Sequence, residues 1–190
     1  MSPILHNPIE LPDDLPAPVD DGATAHLAGL RVPDIALAST DGTDVNLARL
    51  RGRTVVYAYP RTGRPGQALP TGWDAIPGAR GCTPQSCSFR DHFNELQTLG
   101  VAQLFGLSSQ DTEYQREVVG RLHLPFAILS DAQRRLQRAL RLPTFEVDGM
   151  TLIKRMALVI DDGAITKVFY PVFPPDRSAA DVVDWLKSSR

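Results

Sequence analysis

Segments with the pattern of buried strands alternate with helical segments along most of this chain. The run Thr54 to Tyr59 is β-branched and aromatic with no polar alternation, which is typical of a central strand covered on both faces. Before it come a strand-like IALAS, a turn at TDGTD and a short LARL segment. After it comes a loop dense in Gly and Pro, PRTGRPGQALPTGWDAIPGARG. A strand of this kind predicts a fold with layers on both sides of a sheet.

The segments after the loop continue the alternation. Phe89, Phe93 and Leu96 have helical spacing and predict a helix beginning near Pro84. In chain order, the remainder predicts a strand (GVAQLFGLS), a helix (TEYQREVVGRL), a strand (FAILSD), a helix (AQRRLQRALRL), strands 155–160 and 164–169 joined at DDG, and a final helix (SAADVVDWLKSS). This order predicts an α/β fold with a central mixed β-sheet flanked by helices.

Length and composition indicate one domain with a short extension. A chain of 190 residues that is 43% hydrophobic can bury a core of normal size. Residues 1–27 are rich in Pro and Asp and have no period, so we expect an N-terminal extension that lies over the surface or stays mobile, before a domain at residues 28–190. The net charge is −2, without a long basic tract or a long apolar run, and we expect a cytoplasmic protein with no nucleic-acid or membrane partner.

The stretch RGCTPQSCSFRD holds both cysteines, Cys82 and Cys87, with four residues between them. Two such thiols could be a structural bridge, half of a metal site, a redox pair or inert buried side chains. A bridge that closes so short a loop adds little stability. A zinc site needs two more ligands, and the four histidines form no paired cluster, so we expect no metal. Inert burial stays open beside the redox pair.

The predicted helix start favours Cys82 as the reactive thiol of the two. Only the thiolate is a nucleophile, and an ordinary cysteine with a pKa of about 8.5 is mostly protonated at neutral pH. Unpaired backbone N–H groups and the positive end of the helix dipole stabilise an anion at a helix N-terminus. Cys82 stands just before Thr83 and Pro84, whereas Cys87 lies about a turn and a half further along and faces elsewhere.

The motif GCTPQSCSFRD resembles the active-site stretch of the bacterioferritin-comigratory-protein or PrxQ group of peroxiredoxins, in which an Arg-Asp pair follows the second cysteine. The resemblance covers about residues 28 to 190. It includes LRVPDIALASTDGTDVNLARLRGRTVVYAYP, LGVAQLFGLSSQD, LPFAILSDAQRRL and RMALVIDDGAITKVF. It implies a thioredoxin-like fold.

The resemblance also implies a mechanism that needs neither cofactor nor metal. Cys82 would attack a hydroperoxide and become a sulfenic acid, and Cys87 would condense with it to give an intramolecular disulfide. Thioredoxin or a similar dithiol would reduce this disulfide by exchange. The position that matches the family's arginine is Arg155, whose guanidinium would stabilise the thiolate. Without the resemblance, Arg155 could equally be a surface charge at a strand start. The resemblance further implies a monomer.

One position departs from the family pattern. The family places a Thr three residues before the nucleophile, and Ala79 stands there. Thr62 or Thr71 could replace the missing hydroxyl, and we favour Thr62 because it lies close to Pro60. About fifteen residues are inserted between Pro60 and Cys82, and they could roof the pocket, favour bulkier hydroperoxides or merely pack on the surface.

Two other functions remain open for the same fold. A thiol–disulfide oxidoreductase would use two cysteines separated by two residues, and the four found here fit peroxide chemistry better. A redox sensor would be oxidised at Cys82 and pass the signal to a partner. Turnover of hydrogen peroxide would separate the enzyme from the sensor.

Overall fold

The computed structural model describes residues 7–189, so residues 1–6 of the predicted extension and residue 190 lie outside the described range. The strands are β1 (Ala36–Ser39), β2 (Asp44–Asn46), β3 (Arg53–Ala58), β4 (Val101–Ser108), β5 (Ile128–Ser130), β6 (Thr144–Val147), β7 (Met150–Ile153), β8 (Met156–Asp161) and β9 (Ala164–Phe169). The α-helices are α1 (Cys82–Asp91), α2 (Phe93–Thr98), α3 (Thr112–Leu122), α4 (Arg135–Leu140) and α5 (Ser178–Ser188).

Seven strands form a mixed sheet in the order β2-β1-β5-β4-β3-β8-β9, and β6 pairs with β7 separately. Strand β4 is parallel to both β3 and β5, because helical crossovers connect β3 to β4 and β4 to β5. Strand β8 is antiparallel to β3. The prediction of a central mixed sheet flanked by helices is therefore confirmed.

The sheet has a hydrophobic core on each face. Alternate residues of β3 point in opposite directions. Val55 and Tyr57 pack with α1, α2, α3 and α5 in the first core, and Val56 and Ala58 pack with α4 in the second core. Leu27, the last residue of the predicted extension, is fully buried in the second core. The domain boundary at residue 27 stays a prediction. Within residues 7–189, no helix has the length and apolar character needed to span a bilayer.

The antiparallel pairing of β3 and β8 brings the two parts of the site together. Ala58, at the end of β3, lies opposite Met156, at the start of β8. Arg155 directly precedes β8, and the loop that follows β3 leads to Cys82 at the start of α1. Residues 73 positions apart in the sequence therefore meet at the carboxyl edge of β3.

Some element boundaries differ from the predictions. The predicted helix near Pro84 begins two residues earlier, at Cys82, and ends at Asp91, and α2 then begins at Phe93. Helix α4 begins at Arg135, three residues later than predicted, because Arg134 has a left-handed backbone with φ 53°. Strand β8 starts one residue after Arg155.

The sequence analysis did not predict the β6–β7 hairpin. Its strands are joined by Asp148 and Gly149, both with positive φ, as in the Asp162-Gly163 turn between β8 and β9. The hairpin packs against the inserted loop in a third hydrophobic cluster that includes Trp73, Ala79, Val147 and Leu152. The inserted loop is thus a packed part of the molecule.

Candidate active site around Cys82

Cys82 occupies the first turn of α1 because Gly81 makes the entry into the helix possible. Gly81 has φ 105°, a left-handed conformation that side chains disfavour. A Cβ atom there would also lie 2.3 Å from Cγ of Pro175. Only glycine fits this position without a shift of its neighbours. Cys82 itself is 4% exposed, and its thiol donates a hydrogen bond to the carbonyl oxygen of Ala79 at 3.6 Å.

Arg155 contacts Cys82 directly. Its Nη2 lies 3.3 Å from Sγ of Cys82 and also donates to the carbonyl oxygens of Ala79 and Arg80, each at 3.0 Å. The side chain is buried, with 3% of the residue exposed, so the interpretation of Arg155 as a surface charge is wrong. No carboxylate within residues 7–189 forms an ion pair with Arg155. A buried guanidinium without an anionic partner stabilises a thiolate placed against it.

Gln85 holds the guanidinium in place, and the sequence analysis did not identify it. Its Oε1 accepts a 2.6 Å hydrogen bond from Nη1 of Arg155, and its Nε2 donates to Oγ of Ser178 at 3.2 Å. Gln85 is fully buried. It lies three residues after Cys82, so both side chains share one side of α1. That spacing is the signal that could have identified it.

Cys87 lies on the same helix but in a different environment. It is partly buried against the first core, and both cysteines are free thiols. Burial raises the pKa of the Cys87 thiol, while the nearby charge of Arg90 opposes that rise. The thiol of Cys87 therefore favours its protonated form more than an exposed cysteine would. This asymmetry agrees with the expectation that Cys82 is the more reactive of the two.

A small cavity of about 20 Å³ lies above Cys82. The residues that line it include Pro8, Leu69, Pro70, Trp73, Arg80, Thr83 and two arginines, Arg61 and Arg64. Arg64 stacks on the ring of Tyr114 at 4.2 Å. The inserted loop and the N-terminal segment therefore cover the nucleophile. Of the three alternatives that the sequence left open for the loop, this is the one in which it roofs the pocket.

Neither threonine proposed to replace the missing hydroxyl lines this cavity. Thr62 is fully buried, and its hydroxyl donates to Oε1 of Gln110 at 3.2 Å. The backbone N–H of Thr71 donates to Asp148 on the far side of the loop. The preference for Thr62 is therefore wrong: the residue close to Pro60 in sequence is engaged with Gln110. Ala79 contributes its backbone carbonyl to the site instead of a side-chain hydroxyl.

Aromatic side chains pack beneath the site. Tyr57 stacks on Phe89 with ring centroids 4.5 Å apart, and its hydroxyl donates to Oγ of Ser86 at 3.0 Å. Burial raises the pKa of both Tyr57 and Tyr59 well above the ordinary phenol value, so both stay neutral near physiological pH. Arg155 is thus the charged group in direct contact with the sulfur. Within residues 7–189, no cluster of three or more His, Cys, Asp or Glu side chains could hold a metal ion.

The comparisons with known proteins agree on one family. Residues 27–183 match the Redoxin family. Peroxiredoxin Q, chloroplastic, from Oryza sativa subsp. japonica is 30% identical over 162 residues, which are 84% of this chain and 66% of the rice protein. This chain therefore spans slightly less than two thirds of that relative. Peroxiredoxin Q, chloroplastic, from Gentiana triflora is 28% identical over 188 residues, covering 95% of this chain and 78% of that protein.

A solved structure supports the same fold. The crystal structure of Peroxidoxin BcpB from Mycobacterium tuberculosis superposes with a TM-score of 0.68 and 25% identity, over 87% of this chain and 99% of that one. The mixed sheet, the position of α1 and the final hairpin thus form a thioredoxin-like fold of the peroxiredoxin type, as the resemblance implied.

Proposed function

The chain belongs to the Redoxin family, and we propose that it is a thiol peroxidase that reduces hydroperoxides through Cys82, with Cys87 as the resolving cysteine. One observation supports this most strongly: the 3.3 Å contact between Sγ of Cys82 and Nη2 of Arg155 at the first turn of a helix that also holds a second free thiol. Several of its relatives are peroxiredoxin Q proteins, and a peroxidase is the activity that this site chemistry fits.

The first step uses the Cys82 thiolate as a nucleophile. Its electron pair attacks one oxygen of the peroxide, the S–O bond forms and the O–O bond breaks. The departing oxygen takes a proton and leaves as water or an alcohol, while Cys82 becomes a sulfenic acid. The guanidinium of Arg155 stabilises both the thiolate and the negative charge that develops on the leaving oxygen. Gln85 fixes the orientation of the guanidinium through its 2.6 Å hydrogen bond.

The second step joins the two sulfurs. The Cys87 sulfur attacks the sulfenic sulfur of Cys82, the S–S bond forms and water leaves. An external dithiol, which we propose to be thioredoxin or a similar reductant, then attacks the disulfide and returns both thiols through exchange. We further propose that the protein acts as a monomer in the cytoplasm, without a nucleic-acid or membrane partner. A reducing compartment would supply the dithiol that the cycle consumes.

A coupled assay tests this function. Hydrogen peroxide is supplied to the full chain with thioredoxin, thioredoxin reductase and NADPH, and NADPH consumption is followed. We expect turnover with the wild type and none above background with Cys82→Ser, because burial raises the pKa of the remaining Cys87 thiol and makes it a poor nucleophile. Cys87→Ser should lose thioredoxin-coupled cycling. Turnover that survives Cys82→Ser would show that the assignment is wrong, and a wild type that consumes no peroxide would favour the redox sensor.

A further inference from the structure

Two separate segments meet over Cys82, and the side chain of Arg80 joins them. Nη1 of Arg80 forms an ion pair with Asp74 of the inserted loop at 2.8 Å. Nη2 donates to the carbonyl oxygens of Glu10 at 3.2 Å and Asn7 at 3.5 Å, both in the N-terminal extension. The Arg80 side chain is 10% exposed, so solvent screens these contacts less than it would on an open surface.

The segments joined by Arg80 form a roof, which we define as Pro8, Leu69, Pro70, Trp73 and Arg80. All five line the cavity of about 20 Å³ above Cys82. Cys82 is only 4% exposed beneath these side chains, so a branched or aromatic substituent would meet the roof before the peroxide oxygens reached the sulfur.

The roof is anchored on both sides. Trp73 is 4% exposed and packs in the third hydrophobic cluster with Leu152 of the β6–β7 hairpin. In the extension, Leu11 lies beside the helix entry, where its Cδ2 would be 3.1 Å from a Cβ on Gly81. A bulky peroxide would have to displace packed side chains and break the contacts of Arg80 to reach Cys82.

We propose that the roof is a size filter, and that Arg80 is the positioning residue that keeps it closed. The filter admits hydrogen peroxide and excludes hydroperoxides with large substituents, such as cumene hydroperoxide. This inference rests on the proposed function, since it takes Cys82 to be the peroxide-reactive thiol. It assigns to the N-terminal extension and the inserted loop a joint role in substrate selection.

The test measures discrimination between two peroxides in a single turnover. Rate constants for oxidation of Cys82 by hydrogen peroxide and by cumene hydroperoxide are measured by stopped flow, without any reductant, in the full-length protein. Arg80→Met removes the contacts to both the inserted loop and the N-terminal extension. Asp74→Ala removes only the ion pair to the loop. Arg49→Met is the matched control, because its ion pair with Asp34 lies on an exposed surface.

We expect the ratio of the cumene hydroperoxide rate constant to the hydrogen peroxide rate constant to rise about tenfold in Arg80→Met, because substrate positioning at this scale changes rates by one to two orders of magnitude. Asp74→Ala should raise the ratio less, and Arg49→Met should leave it unchanged. Arg80→Lys, which keeps a charge and donors, should restore part of the discrimination. A role of Arg80 in stability alone would slow both peroxides together and leave the ratio constant.

The outcomes separate this inference from the proposed function. If hydrogen peroxide does not oxidise Cys82 in the wild type, the proposed function fails. If it does, but the wild type reacts equally fast with both peroxides, the size filter is overturned and the peroxidase stands. A ratio that stays at the wild-type value in both Arg80→Met and Asp74→Ala also overturns it. Asp74 is half exposed, so Asp74→Ala keeps the test decisive should Arg80→Met fail to fold.

Discussion

A single guanidinium accounts for much of the chemistry expected at Cys82. Arg155 is buried, touches the sulfur and is held by Gln85 and two backbone carbonyls. The guanidinium is already oriented by these hydrogen bonds, so it need not move when negative charge develops on the peroxide. Because its planar fork makes several hydrogen bonds at once, lysine is not an equivalent replacement.

Arg155→Met should slow oxidation of Cys82 by hydrogen peroxide at neutral pH by at least about a hundredfold, the usual effect of losing a preorganised charge stabiliser. The sulfur would lose its contact with the guanidinium, and the leaving oxygen would lose its donor. Stopped-flow oxidation measured between about pH 5 and pH 8 checks this, because loss of the donor to the leaving oxygen should slow the reaction throughout the range. Arg155→Lys should react at a rate between those of the wild type and Arg155→Met. Gln85→Leu should slow the reaction less than Arg155→Met does.

An Arg155→Met protein that folds, as judged by circular dichroism, and reacts at the wild-type rate throughout this pH range would contradict the account. Arg49→Met serves again as the control, because its guanidinium is exposed and paired with Asp34.

The sequence identified the residues whose chemistry is unusual and missed those whose position is unusual. Cys82 and Cys87 stood out as the two thiols of the chain, and Arg155 followed from the family resemblance. Gln85 and Arg80 are polar residues in a helix and a loop, where such residues normally face solvent. Their burial depends on α5 and on the N-terminal extension, which lie about 70 to 90 residues away in the chain. The three-residue spacing from Cys82 places Gln85 on the same side of α1, but it does not show these distant contacts.

At the scale of elements, helix α1 keeps its two cysteines apart. Five residues along an α-helix correspond to a rise of about 7.5 Å and a rotation of roughly 140° beyond a full turn. A disulfide needs Cα atoms within about 7 Å and side chains that face each other. The helix in this reduced structure runs unbroken from Cys82 to Asp91, so its first turns must unwind before the bond can close.

Amide hydrogen exchange should therefore differ between the reduced and oxidised proteins. We expect protection at residues 85–89 in the reduced form and its loss in the oxidised form, because residues 82–88 become a loop that exposes the disulfide to its reductant. Amides of α3, which packs on the same core, provide the internal reference and should keep their protection. Equal protection at residues 85–89 in both states would rule out the unwinding.

In the proposed cycle, unwinding would also set how long the sulfenic acid survives. While the helix stays folded, the sulfenic acid at Cys82 remains open to a second peroxide and to conversion into the sulfinic acid. Burial raises the pKa of Cys87 in the folded helix, and exposure on unwinding would remove that effect. The same motion thus brings the resolving sulfur into reach and makes it more reactive.

Elements were predictable from the sequence where periodicity and turn chemistry agreed. Strand β9 has the predicted bounds of 164–169, and the Asp162-Gly163 turn joins it to β8. The β6–β7 hairpin carries the same Asp-Gly signal at residues 148 and 149 and was missed. Each of its strands has only four residues, and although β6 (TFEV) alternates polar and apolar residues, β7 (MTLI) does not. Its stability comes from packing on the inserted loop, a tertiary contact that sequence patterns do not show.

At the scale of the whole molecule, the sheet sets the site and the additions to the sheet cover it. The edge at the end of β3 brings Cys82 against Arg155, the position that the resemblance had matched to the family's arginine. The inserted loop and the N-terminal extension were predicted only as loop and extension, and the β6–β7 hairpin was not predicted. The loop packs against the hairpin, and the loop and the extension line the cavity at Cys82. The shared fold therefore positions the two site residues, and the loop and the extension cover them.

Intact mass after one equivalent of hydrogen peroxide tests the central claim most directly. The account predicts that the wild type loses about 2 Da as Cys82 and Cys87 form a disulfide, and that Cys87→Ser gains about 16 Da as its sulfenic acid is trapped at Cys82. Cys82→Ser should keep its mass over the same interval. A Cys82→Ser protein that gains about 16 Da at Cys87 as fast as the wild type reacts would contradict the account, because the peroxide-reactive sulfur would then be Cys87.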